Sequence, residues 1–285
     1  MRSLNFRIVN VFTFNGGTLT GNPLCVFEDA RGLDTETMQA LARQFNLSET
    51  TFIQPSSSAN AHVRIFTPSY EMPFAGHPTL GTAFVCRGLG LGGDQLRLEM
   101  KAGIIPVEAQ GNRWTLQANQ PTSRACEASR DTLAAMLGLQ ASDIGEQPLW
   151  VKAGKEQLVI PLTSEAAVRR ATPKPDLFGA VKSEDGHSMA YIFAPPADGR
   201  TLARFFFPDG PAILEDPATG SATANFGGWW LATNQPLPCQ LQISQGEYVA
   251  RPSTLFLQVD LQRRILVSGD VIEIARGALQ LPHES

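Results

Sequence analysis

Two stretches of this chain, PTLGTAFVCRG (78–88) and ATANFGGWWLA (222–232), constrain its fold more than any other feature, because both are apolar on every side at helical spacing. The first carries one charge, Arg87, and the second carries none. A helix that is apolar all round must be buried all round. Neither stretch approaches the ~20 apolar residues that a membrane-spanning helix needs. The sequence around them is rich in strand signals. QLRLEM (95–100) alternates Leu96, Leu98 and Met100 with Arg97 and Glu99, and LQIS (241–244) alternates likewise. FRIVNVFTF, TTFIQ, HVRIFT, RWTLQA, LVIPL, MAYIF, RFFF, LFLQV and DVIEI are further β-rich runs. Too few helices intervene for repeated βαβ units, so the expected class is α+β with antiparallel or mixed sheets. Sheets wrapped about a central helix would bury it on every side.

The two apolar segments also resemble each other. Aligning GHPTLG with GSATAN matches Gly76 to Gly220 and Thr79 to Thr223, about half a chain apart. This points to two similar lobes, each with its own core helix, joined near the polar stretch NQPTSRA (119–125). The expected division is 1–120, holding Glu49 and the GHPTLG helix start, and 121–285, holding the DPATGSA helix start; the final strand is free to return to the first lobe. Two other helices are amphipathic. Asp34 should cap TETMQALARQF, with Met38, Leu41, Ala42 and Phe45 on one face, and DTLAAML should stop at Gly138.

Composition narrows the function. Of 285 residues, 43% are hydrophobic and 18% charged, and the formal net charge is -4. The only adjacent basic pairs are Arg169–Arg170 and Arg263–Arg264, so a nucleic-acid partner is not expected. The N-terminal MRSLNFRIVNVFTF lacks a secretory apolar region and cleavage site, and it alternates like a strand. Cys25, Cys86, Cys126 and Cys239 are scattered, without C-x-x-C or metal-ligand spacing. Reduced core thiols, a cytoplasmic location and no membrane or metal partner are the corresponding expectations.

Three segments could carry chemistry. NLSETTF (46–52) places Glu49 between a helix end and an apolar strand; EMPFAGHPTLG (71–81) places Gly76 and His77 before Pro78, expected as the first helical residue; EDPATGSATAN (215–225) places Asp216, Thr219, Gly220 and Ser221 at the mouth of the second buried helix. A glycine permits close backbone approach, and a helix start offers unpaired N–H groups that suit an anion such as a carboxylate. Each residue also has an ordinary reading: Glu49 as a surface residue, His77 as a capping side chain, Ser221 as an N-cap and Asp216 as a turn residue before proline. His62, His187 and His283 have no supporting neighbours in sequence and read as structural or exposed.

In combination, NLSETTF, TP-x-x-E-x-P-F-A-GHPTLG and DPATGSA, together with the early GNPLCVF (21–27), resemble the phenazine-biosynthesis PhzF-like family. The resemblance implies the diaminopimelate-epimerase-like fold: two pseudo-symmetric lobes, each a curved, mostly antiparallel sheet around a central helix, with the active site in the cleft between them. It implies an isomerase without metal or organic cofactor, acting on a small carboxylate-bearing molecule, and a homodimer. By the same resemblance Glu49 is the catalytic acid/base, His77, Asp216 and Ser221 place substrate and protons, and Gly76, Thr219 and Gly220 shape the binding wall. One position departs from the family pattern V-D-x-F: this chain has Asn10 in VNVFTF.

A base beside apolar groups such as Phe52 would have a raised pKa, and one carboxylate can take a proton from one carbon and return it to another. The main alternative is a two-base epimerase on the same fold. The resembling diaminopimelate epimerases and proline racemases carry a cysteine at each helix mouth, where this chain has Ala75 and Thr219, neither of which supplies a thiolate. A serine hydrolase built on Ser221, His77 and Asp216 would lack G-x-S-x-G. A silent binding protein that keeps the fold is the third alternative.

Overall fold

In the computed structural model, which describes residues 2–281, the chain divides into two units: Met1–Leu116 with Ser268–Ser285, and Gln117–Val267. The division thus falls after Leu116, within a strand, and the chain end from Ser268 belongs with the first unit. His283 lies outside the described residues.

The first unit opens with strands β1 (Arg2–Val11) and β2 (Asn22–Phe27), which pair antiparallel. Helix α1 (Thr35–Phe45) begins where the Asp34 side chain accepts from the Thr37 N–H and ends at Asn46 in the left-handed region. It leads to β3 (Glu49–Gln54), parallel to β2, and β4 (Ala61–Phe66), antiparallel to β3. The short β5 (Glu71–Met72) precedes α2 (Gly76–Gly88). A meander of β6 (Gln95–Met100), β7 (Gly103–Gln110) and β8 (Arg113–Gln117) follows, with β6 parallel to β4. The two helices lie on opposite faces of this sheet. On one face, Met38, Leu41 and Ala42 of α1 pack into a cluster with Leu4, Cys25, Phe27, Phe52 and Phe66, where the Phe27 and Phe52 rings stack at 4.9 Å. On the other face α2 is buried against β1, β2, β3, β4 and β6. A Cβ on Gly81 would stand 2.6 Å from Leu24 and 2.9 Å from Val11, so only glycine lets the helix sit this close to the strands. Thr79 and Thr82, polar residues inside this core, return their hydroxyls to the carbonyls of Ala75 and Pro78 at 2.7 Å each.

The second unit repeats the plan. It contains β9 (Thr122–Ala125), α3 (Arg130–Leu137), β10 (Leu149–Lys152), β11 (Glu156–Pro161), α4 (Glu165–Arg170) and α5 (Pro175–Phe178). β12 (Ala190–Phe193), β13 (Arg200–Asp209), β14 (Ala212–Asp216), α6 (Gly220–Ala232), β15 (Cys239–Gln245) and β16 (Ser253–Val259) complete it. Strands run β9, β10, β11, β12, β13 across the sheet. The far side of β13 is shared, with Arg200–Leu202 pairing to β15 and Phe205–Asp209 to β14. Trp150, Leu158 and Ile160 face α3, α4 and α5 on one side. On the other, α6 is buried against β9, β10, β11 and β16. A Cβ on Gly228 would lie 2.6 Å from Val151 and 2.8 Å from Pro121.

The last strand, β17 (Ile265–Leu281), begins in the second unit and continues in the first from Ser268. There it pairs antiparallel with β1 along that strand's length and also with β8. Arg113 grips Asp270 through two 3.0 Å hydrogen bonds, and Thr115 meets Ser268 at 2.9 Å. β17 thereby closes the first sheet into a ring, β1-β2-β3-β4-β6-β7-β8-β17. The architecture is the expected one: α+β, mostly sheet, with curved sheets around buried helices. Among the described residues no helix is long and apolar enough to cross a membrane.

Candidate active site

In the first unit the site grows from the first residue of β3. In the parallel register Glu49 lies opposite Leu24, which packs against Gly81 of α2. Thr51, two residues on, meets Thr82 of α2 hydroxyl to hydroxyl at 2.8 Å. Strand alternation therefore puts Glu49 on the α2 face. Its carboxylate keeps 16% exposure and places Oε2 3.4 Å from Nδ1 of His77. Phe52 does not desolvate it, contrary to the expectation from sequence. Three residues along a strand is an odd step, and Phe52 points to the opposite face into the α1 cluster. On the outer side of Glu49 stands half-exposed Tyr70, whose phenol is pushed up by burial and by the Glu49 charge.

His77 is the second residue of α2 and is only 5% exposed. Burial pushes its imidazole down to about 3, although a hydrogen bond to the Pro23 backbone works in the other direction. The ring is therefore neutral at ordinary pH, and its contact with Glu49 is that of a dipole with a carboxylate and not of an ion pair. It is not a cap. The helix also starts earlier than Pro78: Ala75 is the N-cap, with no side-chain capping bond, and Thr79 N–H to Ala75 O (3.2 Å) is an opening i to i−4 bond. Pro78 fits at the third position because that N–H would lack an intrahelical acceptor anyway. The N–H groups of Gly76 and His77 likewise stand before any intrahelical acceptor. Asn10 is fully buried between Val9 and Val11, which both face α2. It therefore turns away from that helix, and its amide donates to the Thr18 carbonyl at 2.7 Å.

The second unit presents a matching helix start. α6 begins at Gly220, not Ala222, with Thr219 as N-cap, and Thr223 N–H bonds Thr219 O at 3.0 Å as Thr79 does in α2. Asp216 ends β14, and its Oδ2 accepts from the Thr219 hydroxyl at 2.5 Å. Ser221 is not the N-cap; its Oγ accepts from Gln157 Nε2 at 3.1 Å. Three buried amides beside this helix start had no signal in sequence: Gln245, Gln157 and Asn225, all 2% exposed or less. Gln245 donates to the Asp216 carbonyl (2.9 Å) and the Thr219 hydroxyl (3.0 Å), which fixes the DPATG turn. Beside it a Cβ on Gly246 would meet the Pro217 carbonyl at 2.5 Å. A glutamine on a strand is ordinary until its partners are known.

The structure thus brings Glu49, Gly76 and His77 together in one unit and Asp216, Thr219, Gly220 and Ser221 together in the other. His62 is half-buried on β4 and His187 is exposed, and neither joins these groups. The thiols are free and raised by burial, Cys86 to about 12 and Cys239 to about 11, and the expected thiol positions of a two-base epimerase are the N-caps Ala75 and Thr219. Among the described residues no three His, Cys, Asp or Glu side chains gather as metal ligands would. A cavity of about 310 Å³ in the second unit is lined in part by Arg204, Glu215 and Tyr248, outside the set above. The Arg204 guanidinium there is committed to Glu215 and to the carbonyls of Val168 and Ala171.

The first unit thus sets the Glu49 carboxylate, on a strand of a closed sheet, beside the buried imidazole of His77 at the start of α2. The chain belongs to the phenazine biosynthesis-like protein family PhzC-PhzF, whose model matches residues 9–277. It is 40% identical to a protein of Pasteurella multocida named as an uncharacterized isomerase, over 97% of this chain and 94% of the relative. It is 34% identical to the trans-2,3-dihydro-3-hydroxyanthranilate isomerase of Pseudomonas chlororaphis, over 96% of this chain and 99% of the relative. Its fold matches that of the phenazine biosynthesis protein of the PhzF family from Bacillus anthracis, with TM-score 0.85 and 24% identity, over 99% of this chain and 100% of that one. Isomerase is the activity class these relatives support for this chain.

Proposed function

We propose that the protein moves a proton within a small carboxylate-bearing metabolite, with Glu49 as the single acid/base and without metal or organic cofactor. The observation that carries the reading is the Glu49–His77 pair at 3.4 Å, in which burial keeps the histidine uncharged. A cationic neighbour would hold the carboxylate ionised and weaken it as a base; a neutral imidazole leaves it able to accept a proton and to give it back. In this reading a helix start bordered by glycine, Gly76 in α2 or Gly220 in α6, suits a substrate carboxylate, and Asp216, Thr219 and Ser221 are the polar groups at the α6 start. The relatives named for trans-2,3-dihydro-3-hydroxyanthranilate make that compound the first substrate to try. Its isomerisation is a hydrogen shift, which one carboxylate suffices to perform. A thiol pair is disfavoured because burial keeps Cys25, Cys86 and Cys239 protonated.

The test is turnover in deuterated water, followed by NMR for the position and extent of deuterium incorporation. Glu49→Gln keeps the shape of the side chain and removes its basicity, so it should lower kcat by ~10²–10⁴ with the fold intact by circular dichroism. Activity within a few-fold of wild type would remove Glu49 from the role. Binding of the acid without turnover or exchange would reduce the protein to a binder.

A further inference from the structure

Ser221 is the one hydroxyl at the α6 mouth whose hydrogen-bond polarity is dictated from the main chain through two buried amides. The Ala153 N–H donates to Asn225 Oδ1 at 2.7 Å, and Asn225 Nδ2 donates to the Lys155 carbonyl at 3.0 Å. A main-chain donor and a main-chain acceptor thus agree on which way the Asn225 amide faces. The same Nδ2 donates to Gln157 at 2.7 Å, and an NH₂ group cannot accept, so the Gln157 atom there is its oxygen, Oε1. The other end of Gln157 is then Nε2, a donor only, and it lies 3.1 Å from Ser221 Oγ. Gln157 and Asn225 are 2% and 1% exposed, so water does not compete for these groups.

We infer that Gln157, oriented by Asn225, is a positioning residue that makes Ser221 a donor toward the ligand. Gln157 occupies a lone pair of the serine oxygen, and the serine proton must go to another acceptor. At a helix start read as holding an anion, that acceptor is an oxygen of the ligand carboxylate. The neighbouring turn is built on the same logic: Gln245 Nε2 donates to Thr219 Oγ1, and Thr219 Oγ1 donates to Asp216 Oδ2. There the acceptor is internal, whereas at Ser221 it is supplied by the ligand. This inference rests on the proposed reading that Ser221 faces the substrate, and it adds which polarity the serine must have and which residues impose it.

The experiment is a double-mutant cycle of Gln157→Met and Ser221→Ala, with affinities for benzoate and for 3-hydroxyanthranilate measured by calorimetry. Gln157→Met keeps the length of the side chain and adds no charge. Loss of a hydrogen bond to a charged carboxylate should weaken binding about tenfold or more in Ser221→Ala. Gln157→Met should weaken it by a similar factor with Ser221 present and leave it unchanged when Ser221 is already alanine. A merely structural role for Gln157 would weaken both backgrounds equally, and that result overturns the inference alone. Unchanged affinity in Ser221→Ala, or acids that do not bind wild type, overturns the proposed reading of the site and this inference together. Should Gln157→Met not fold, Gln157→Glu serves. Its protonated form donates as glutamine does, and its ionised form forces Ser221 to donate inward. Its affinity relative to wild type should therefore recover as pH falls, but only when Ser221 is present. Equal recovery in the Ser221→Ala background would assign the effect to charge repulsion and sink the inference.

Discussion

At the scale of single residues, His77 makes a stability statement as well as a chemical one. Its imidazole is depressed from 6.5 to about 3 by burial. Below about pH 6.5 the unfolded chain binds a proton at this position and the folded protein does not, so stability is lost as pH falls, down to about pH 3. The slope of one proton is about 1.4 kcal/mol per pH unit in that window. His77→Gln removes the titration, so the stability difference between wild type and variant should shrink by that slope as pH is lowered. Urea unfolding across the window measures it, and parallel curves for the two proteins would mean that the buried imidazole is protonated after all. The motifs that carry the candidate residues were legible in the sequence, but the surroundings of those residues were not. Phe52 was read as the neighbour of Glu49 because it is near in sequence, while strand parity sends it to the other face. Gln157, Asn225 and Gln245 gave no signal, because an amide acquires its role only from the main-chain groups that the fold brings to it.

At the scale of elements, the two all-apolar helices were the most legible features, since a segment without a polar face has only one place to go. α2 and α6 each run 13 residues, with Gly76 and Gly220 first and Thr79 and Thr223 fourth, which is the alignment that the two motifs suggested. The sequence places both starts two residues late: Pro78 is favoured at the first position of α2, and Ser221 is a favoured cap before Ala222 in α6. Helix propensity and packing oppose each other at the glycines inside them. Alanine at Gly228 would gain up to ~1 kcal/mol of intrinsic helix stability. Its Cβ, however, would lie 2.6 Å from Val151 and 2.8 Å from Pro121, a β-branched side chain and a ring that cannot swing aside. Overpacking of this kind costs about 1–3 kcal/mol, so the crowding wins. Gly228→Ala should lower stability by about 1 kcal/mol or more in urea unfolding. Gly93→Ala, whose Cβ meets nothing within 4 Å, is the control and should be neutral or slightly stabilising. A stabilised Gly228→Ala would mean that α6 packs more loosely than these contacts require.

At the scale of the molecule, the decisive feature is one that no local pattern announces. β17 closes the first ring by pairing residues from opposite ends of the chain, as when Arg7 of β1 reaches Glu273 at 3.0 Å across 266 positions. DVIEI reads as a strand in any context, but nothing near it in sequence names β1 and β8 as its partners. The consequence is an asymmetry in what each unit can do alone. The second unit, Gln117–Val267, is one continuous segment with its own apolar cluster. The first is discontinuous, and without β17 it would leave β1 and β8 as bare edges. It would also strand the 9%-exposed Arg7 without one of its two carboxylates and uncover Phe12, which packs where Gly269 has no side chain. Exposing a buried phenylalanine alone costs about 1.5–3 kcal/mol, a large part of a domain's total stability. Fragment 117–267 should therefore unfold cooperatively, with dispersed amide resonances. Fragment 2–116 should not, and joining 268–281 to it through a flexible linker should restore cooperative folding. If 2–116 alone melts in a single sharp transition, the ring does not depend on its closing strand.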